Sequence, residues 1–232
     1  MDTVRLIIAL TTIFIVVSAF FAKVVFKNKP MSTRFIARTA VFAAMSIVLY
    51  TVPFLKFSLP IFPSFLEIHL DEIPAFMAGF AYGPLSGVLV IVVKTIVKLP
   101  LTSTACVGEL ADFIYSIAFV LPAALIYKKH RTLKGALVSL LVATIVQLFV
   151  STFVTTFIML DIYTILYPGL TKQVILYMCQ AINPAIKDLQ FSFLLMVLLP
   201  FNALKDGIVI VLTLVLYKRL RILFEKILPQ KN

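Results

Sequence analysis

The chain has 232 residues, of which 62% are hydrophobic and only 13% charged, and its formal net charge is +11. Soluble domains have roughly 45–50% apolar and about 25% charged residues, so this composition excludes an ordinary soluble domain and indicates an integral membrane protein. Long apolar runs without a two-residue alternation predict transmembrane helices and exclude a membrane β-barrel. The excess of Lys and Arg is typical of cytoplasmic loops, so we expect no nucleic acid partner.

The first apolar run, Val4–Val25, is longer than the core of a secretion signal, and its lysines follow it. We therefore predict a retained anchor helix, with a cleaved signal as the alternative. Residues 1–30 would form this anchor and a linker, and residues 31–232 a membrane domain.

The remaining helices follow from the positions of the cationic clusters. Five further apolar runs are Thr39–Phe54, Ile73–Val97, Val107–Tyr127, Gly135–Leu160 and Leu189–Tyr217. The clusters Lys23–Arg38, Lys128–Lys134 and Lys218–Lys231 should all lie on the cytoplasmic face, which requires an even number of crossings between them. Three runs separate the first two clusters, so one run must be two helices. Gly83-Pro84 ends one helix and starts another, and we predict Glu72–Tyr82 and Pro84–Lys98.

The predicted fold is thus an all-α membrane protein with a six-helix bundle plus one extra N-terminal transmembrane helix, in the cell membrane. Its external segments are Leu55–Asp71, Leu99–Cys106 and Asp161–Asp188. The first contains two prolines and several aromatic residues, which is too apolar for an ordinary exposed loop. We predict a lid over the outer face, with Phe54, Phe62 and Phe65 in or beside it.

Polar side chains occur within three of the predicted helices. Asn202 and Lys205 share one helix face because they are three residues apart. Glu109 and Asp112 have the same spacing, directly after Gly108. A third set is a hydroxyl-rich strip on the fifth core helix: Thr144, Gln147, Ser151, Thr152, Thr155 and Thr156. We predict that these groups meet in a pocket under the lid, because polar groups in lipid need partners or a ligand.

Structural roles are the alternative for each of these groups. Threonines in membrane helices bond to their own backbone carbonyls. Lys205 could form a structural ion pair with Glu109 or Asp112. Lys94 and Lys98 could extend outward to the interface.

The sequence also indicates whether the pocket holds a metal or performs catalysis. The two cysteines and two histidines have no metal-ligand spacing, and no nucleophile–base pair or phosphate-binding loop is evident. We therefore predict capture of a neutral or mildly polar heterocycle with a polyol tail, with neither metal nor catalysis. A membrane enzyme acting on a lipid, with Glu109 and Asp112 as acid–base groups, is the alternative. Ala40 and Ala44 form a small-xxx-small pair, which allows close contact with another helix.

Four stretches in order, LDEIPAFMAGFAYGPLSGV, VGELADF, VLPAALIYKKHRTLKGALVSLL and LPFNALK, resemble the riboflavin-specific substrate-binding (S) components of energy-coupling factor (ECF) vitamin transporters, the RibU family. The resemblance covers about Arg34 to Arg221. It implies a six-helix fold, no enzymatic activity, no cofactor, and riboflavin as a transported ligand held under the loop after the first core helix. It also implies assembly with a membrane T component and two ATPases.

The resemblance also implies residue roles. Asn202 and Lys205 match the pair that contacts the flavin ring, and Ala40 and Ala44 map to the surface that contacts the T component. The predicted riboflavin site comprises Asn202, Lys205, Glu109, Asp112, Gly108, Thr155 and Phe54. Asp206, where a small residue is expected, and Thr155, where some relatives have Asn, leave open whether the ligand is riboflavin or its phosphate FMN. A different vitamin is the other open alternative.

Overall fold

The computed structural model describes residues 31–102, 104–167 and 169–227, with side chains to Arg219 apart from the two gaps. The predicted anchor helix Val4–Val25 lies outside the described residues. Within them the chain forms eight α-helices: α1 Thr33–Thr51, α2 Glu72–Tyr82, α3 Pro84–Lys98, α4 Val107–Lys129, α5 Leu133–Val154, α6 Leu160–Leu166, α7 Lys172–Gln180 and α8 Leu199–Ile227.

Five helical spans are long and apolar enough to cross a membrane: Thr33–Thr51, Pro84–Leu101, Val107–Lys129, Leu133–Leu166 and Leu194–Arg219. The fourth span joins α5 to α6 through a π-helical segment, Thr155–Met159, and a second π-helical segment, Leu194–Leu198, precedes α8. The sixth core helix is α2, which has only 11 residues, ten of them buried. This short helix is in contact with α1, α3, α4 and α8, which shield it from lipid. It therefore does not have to be long enough to span the bilayer. The predicted six-helix bundle is therefore confirmed.

The turn between α2 and α3 divides the long apolar run where the sequence predicted. Gly83 has φ +99°, a backbone conformation that residues with a Cβ rarely adopt, and Pro84 is the first residue of α3. The two helices then pack closely, since a Cβ on Gly87 would lie 3.0 Å from the Ala75 carbonyl oxygen and 3.2 Å from the Gly79 Cα.

Contacts between helix ends indicate that successive helices of the bundle run in alternating directions. Tyr50 at the α1 end lies near Lys98 at the α3 end, and the Tyr127 and Tyr217 hydroxyls join the later parts of α4 and α8. The α1 start, the α4–α5 connection with Lys128 and Lys129, and the α8 end with Lys218 therefore share one end of the bundle. The positive-inside rule makes this the cytoplasmic end. The opposite end, called the outer half below, carries the α1–α2 loop and the segment that contains α7.

The external segments are more ordered than the sequence predicted. The span that begins with α5 continues past Leu160 to Leu166, and α7 forms inside the segment expected to be a loop. Ile175 and Cys179 of α7 belong to the same buried hydrophobic cluster as Phe62 and Ile68 of the α1–α2 loop. Paired backbone hydrogen bonds between Phe57 and Ile68, 3.2 and 2.8 Å long, close that loop at its base.

Candidate functional site

A cavity of about 410 Å³ lies in the outer half, between the α1–α2 loop, the starts of α4 and α8, and the end of the span formed by α5 and α6. This volume is in the range of ligand pockets, about 300–1,000 Å³. Its lining includes six residues selected from the sequence: Gly108, Glu109, Asp112, Thr155, Asn202 and Lys205. Three separate helices thus bring polar groups to one space.

The seventh selected residue, Phe54, is not among the lining residues. It belongs to the short 3₁₀ turn Pro53–Leu55, and its side chain is 85% exposed. This position corrects the expectation that Phe54 covers the ligand. Phe65 of the same loop does line the cavity, whereas Phe62 packs edge-on against Phe201, with ring centroids 5.3 Å apart.

Asn202 and Lys205 lie at the buried end of the cavity, with exposed fractions of 9% and 5%. The Lys205 Nζ donates to Glu72 Oε1 at 2.9 Å. Lys205 therefore forms an ion pair, but with Glu72, and the partners considered from the sequence, Glu109 and Asp112, are wrong. The other Glu72 oxygen has no hydrogen-bond partner among the described residues. Two N–H bonds of the Lys205 ammonium remain for other acceptors, since a lysine has three donors.

Lys94 occupies the centre of the polar network below the cavity. Its side chain is fully buried, so the expectation that it extends to the interface is wrong. The Nζ donates to Asp112 Oδ2 at 3.0 Å and Ser116 Oγ at 2.9 Å, and it pairs with Asp71. We call Asp71, Glu72, Lys94, Asp112 and Lys205, together with His69, the buried charge cluster.

His69 connects the members of this cluster and also lines the cavity. Its Nδ1 is hydrogen-bonded to Asp71 and lies 3.8 Å from Glu72 Oε2, and its Nε2 lies 3.4 Å from Asp112 Oδ1. Burial opposes ionisation of Asp71, but the Lys94 ammonium and His69 hold the pKa of its carboxyl well below the usual value. Asp71 is therefore ionised, which suits its pairing with Lys94.

The same cluster contains a geometric metal candidate. Ligand atoms of His69, Asp71 and Glu72 lie within 4.8 Å of one another. However, the Lys94 and Lys205 ammonium groups pair with the two carboxylates. They supply the positive charge that these carboxylates require, so the arrangement is a salt-bridge network.

Glu109 faces the cavity from the first turn of α4. Its Oε2 accepts hydrogen bonds from the hydroxyls of Thr102 and Thr104, at 2.7 and 2.8 Å. The preceding Gly108 leaves space for this arrangement, because a Cβ there would lie 2.8 Å from Thr104 Oγ1 and 3.2 Å from the Tyr163 hydroxyl oxygen. The loop before α4 therefore fixes the orientation of this carboxylate.

The hydroxyl-rich strip divides into two parts. Thr155 lines the cavity and shares a hydrogen bond of 2.7 Å with the Tyr115 hydroxyl. The other members of the strip are absent from the lining; Thr144 donates to its own backbone at the Leu140 carbonyl, 3.0 Å away. Thr155 begins the π-helical segment, and such segments often occur at functional sites.

Comparisons with known proteins give the family and the fold of the chain. The family model of the ECF transporter substrate-specific component matches residues 34–217. The riboflavin transporter RibU of Staphylococcus aureus (strain TCH60) is 25% identical over 193 residues, which are 82% of this chain and 93% of the relative. The riboflavin transporter FmnP of Bacillus subtilis (strain 168) is 32% identical over 109 residues, 46% of this chain and 57% of the relative.

A solved structure, of the S component of a bacterial ECF transporter, has the same fold. Its TM-score is 0.64 at 24% identity, and the match covers 84% of this chain and 99% of that chain. The chain belongs to the family of ECF transporter substrate-specific components. It is a multi-pass membrane protein of a transport system and is not an enzyme.

Proposed function

We propose that this chain captures riboflavin at the outer face of the membrane and delivers it inward as the S component of an ECF transporter. The observation that carries the proposal is the cavity under the α1–α2 loop, which is lined by polar groups of α4, of α8 and of the π-helical segment after α5. Two relatives with similar sequences are named riboflavin transporters.

The buried end of the cavity suits the polar edge of a flavin. The Asn202 amide offers both a donor and an acceptor, as the pyrimidine edge of isoalloxazine requires, and Lys205 has N–H bonds left after its pairing with Glu72. Phe65, Phe201 and Tyr163 also line the cavity and supply aromatic surface for the planar ring system. Gly108, Glu109, Asp112 and Thr155, which also line the cavity, complete the proposed site.

Delivery requires partners, because the 232 residues contain no phosphate-binding glycine loop. We propose that a membrane T component and two ATPases supply this coupling. Ala40 and Ala44 are both exposed on one face of α1, whereas Ala43 is buried within the bundle. Small side chains on an exposed membrane helix permit close packing, so this face is the proposed contact with the T component.

A spectroscopic test follows for ligand identity. The purified chain should show flavin absorption, or should quench riboflavin fluorescence on titration, and thiamine and biotin should not compete. A colourless preparation that binds no flavin, or one that binds another vitamin more tightly, would contradict the proposal.

A transport test follows for the partner surface. Ala40→Trp should abolish riboflavin uptake by cells that express the complete transporter, while the purified variant still binds riboflavin. Val211→Trp, which adds the same bulk to an exposed position on α8, is the matched control and should retain uptake. Uptake by the Ala40 variant equal to that of the control would remove α1 from the contact.

A further inference from the structure

Asp206 is an acidic residue inside the bundle that the proposed ligand site does not use. It follows Lys205 on α8, and its side chain is completely buried. Neither carboxyl oxygen has a hydrogen-bond partner among the described residues, and the neighbouring Lys205 ammonium pairs with Glu72 instead. A buried carboxylate without a partner is costly, so such a group needs either a counter-ion or a proton.

The groups around Asp206 do not supply the missing charge. The main contacts of α8 are with α2, α5 and the preceding π-helical segment. Glu72 at the start of α2 repels the Asp206 charge, and Lys205 on α8 itself attracts it. The other two elements add nothing, because Gly135–Val154 and Leu194–Leu198 contain no titratable side chain.

Negative charges exceed positive ones in this region of the protein. The buried charge cluster has three carboxyl groups, two ammonium groups and His69, and Asp206 adds a fourth carboxyl group. Even with His69 protonated, four negative charges would face three positive ones. One more proton or cation is therefore required.

The packing at Asp206 favours a proton over a larger ion. Both carboxyl oxygens are closed off by protein atoms, so no space for a water molecule adjoins them. A bound metal ion needs several oxygen ligands arranged around it, whereas a proton requires no additional volume. Within the described part of the chain, the group of side chains with metal-ligand spacing is His69, Asp71 and Glu72, which does not include Asp206.

We propose that Asp206 is a neutral carboxylic acid in the chain that binds ligand, and that its neutrality keeps the Lys205 ammonium available to that ligand. Asp206 is a positioning residue, because it is absent from the cavity lining and acts through Lys205. An ionised Asp206 would attract this ammonium and repel Glu72, and would thus compete with the ligand for the remaining N–H bonds. The role toward the ligand rests on the proposed function.

The proposal fixes the sign of a pH dependence. The ligand binds better to the form in which Asp206 holds its proton, so proton binding and ligand binding support each other. Riboflavin affinity should therefore be complete while Asp206 is protonated and should fall as rising pH removes that proton.

Infrared spectroscopy of the purified full-length chain, near neutral pH and in a detergent without ester groups, detects the proton directly. A protonated carboxyl group has a C=O stretching band at a higher frequency than a carboxylate, and the parent chain should show it. Asp206→Asn should lack this band. Asp161→Asn removes an exposed carboxylate paired with Lys172, so it is the matched control and should keep the band. A band that is absent from the parent, or that remains in Asp206→Asn, would overturn the proposal.

Riboflavin titrations followed by flavin fluorescence measure the positioning role. Between about pH 7 and about pH 9 the affinity of the parent should fall about tenfold, and that of Asp206→Asn should fall less than about twofold. Asp206→Leu is a second uncharged variant, since an apolar side chain of similar size suits a site without hydrogen-bond partners, and it should behave as Asp206→Asn does. His69 and Glu109 are present in all three proteins, so their titration is common to them.

Equal pH responses in the parent and in both variants would overturn the positioning role while leaving flavin capture intact. A parent chain that binds no riboflavin at any pH would instead overturn the proposed function, and the role toward the ligand with it. The infrared band decides in either case whether Asp206 holds a proton.

Discussion

The outer and inner halves of the bundle are made by the same helices but packed in different ways. The outer half contains a cavity and, next to it, the buried charge cluster. The inner half contains buried aromatic rings: Phe76 packs edge-on against Phe119 at 4.7 Å, and Phe80 contacts Tyr127 and Tyr217 at 4.4 and 6.0 Å. The Tyr127 and Tyr217 hydroxyls share a hydrogen bond of 2.6 Å.

The difference shows how a membrane protein keeps charged groups inside lipid. Each buried lysine of the outer half has a carboxylate partner from another helix or from the loop before α2. Such pairs are weakly stabilising as a whole, yet the loss of one partner is expensive. The inner half depends instead on close contact between helices. Substitutions in the outer half should therefore destabilise the protein by leaving a buried charge unpaired. Substitutions in the inner half should do so by disturbing the contact between helices.

The largest effect is expected from Lys94→Met. Removal of the ammonium leaves Asp71 and Asp112 buried without their cation, which should lower the free energy of unfolding by about 3–5 kcal/mol. Unfolding in detergent, followed by circular dichroism, measures the change. Lys172→Met breaks a pair with Asp161 whose side chains are both more than half exposed, and it should cost less than about 1 kcal/mol. Similar losses in both variants would mean that the cluster is not structural.

Gly87→Ala tests the packing of the inner half. The new Cβ would lie 3.0 Å from the Ala75 carbonyl oxygen and 3.0 Å from Val120 Cγ1, so the helices must separate, at a cost of about 1–3 kcal/mol in unfolding free energy. Gly207→Ala on α8, where the added Cβ would meet no atom of another helix within 4 Å, should be neutral or stabilising. A Gly87 variant as stable as the parent chain would show that the contact between α2 and α3 is loose.

Asn202→Ala should affect the outer half through the ligand. Loss of one hydrogen-bond partner in a dry site should reduce riboflavin affinity by about 1–3 kcal/mol, with little change in unfolding temperature. Fluorescence titration measures the affinity. Asn183→Ala, in the external segment and outside the cavity lining, serves as the control and should bind as the parent does. Unchanged affinity for the Asn202 variant would exclude this residue from the site.

The smallest effect is expected from Tyr217→Phe. It removes a hydroxyl paired with Tyr127 but keeps the ring, so unfolding free energy should fall by about 0.5–1.5 kcal/mol and riboflavin affinity should stay the same. Tyr177→Phe, on the exposed face of α7, should change neither quantity. A loss of riboflavin binding in the Tyr217 variant would show that the two halves are coupled.

Charge distribution and turn residues predicted most of the fold. The division at Gly83-Pro84 followed from the parity of crossings, and the structure has the same bounds for both helices. The helix α7 was missed because its nine residues lie in a segment with no long apolar run. The π-helical segments were also missed, since hydropathy does not report a local change of helical pitch.

The part of the site that the sequence predicted consists of residues close together in the chain, whose spacing places them on one helix face. The i,i+3 pairs Asn202/Lys205 and Glu109/Asp112 do line one cavity. The buried charge cluster was missed, because Glu72 and Lys205 are 133 residues apart and Lys94 and Asp112 are 18 apart. One signal was available: a charged side chain within a membrane helix needs a partner, and Lys94 required one.

The two π-helical segments have a consequence for how the cavity wall can vary. A π turn accommodates one more residue than an α turn. Deletion of one residue within Leu194–Leu198 would convert the π turn into an α turn. The side chains in the later part of α8 would therefore keep nearly the same orientation. The same deletion between Asn202 and Lys205 would rotate the ammonium about 100° around the helix axis. Insertion or deletion of single residues in the π-helical segments can thus change the cavity wall. The Asn202 amide and the Lys205 ammonium would keep their orientation.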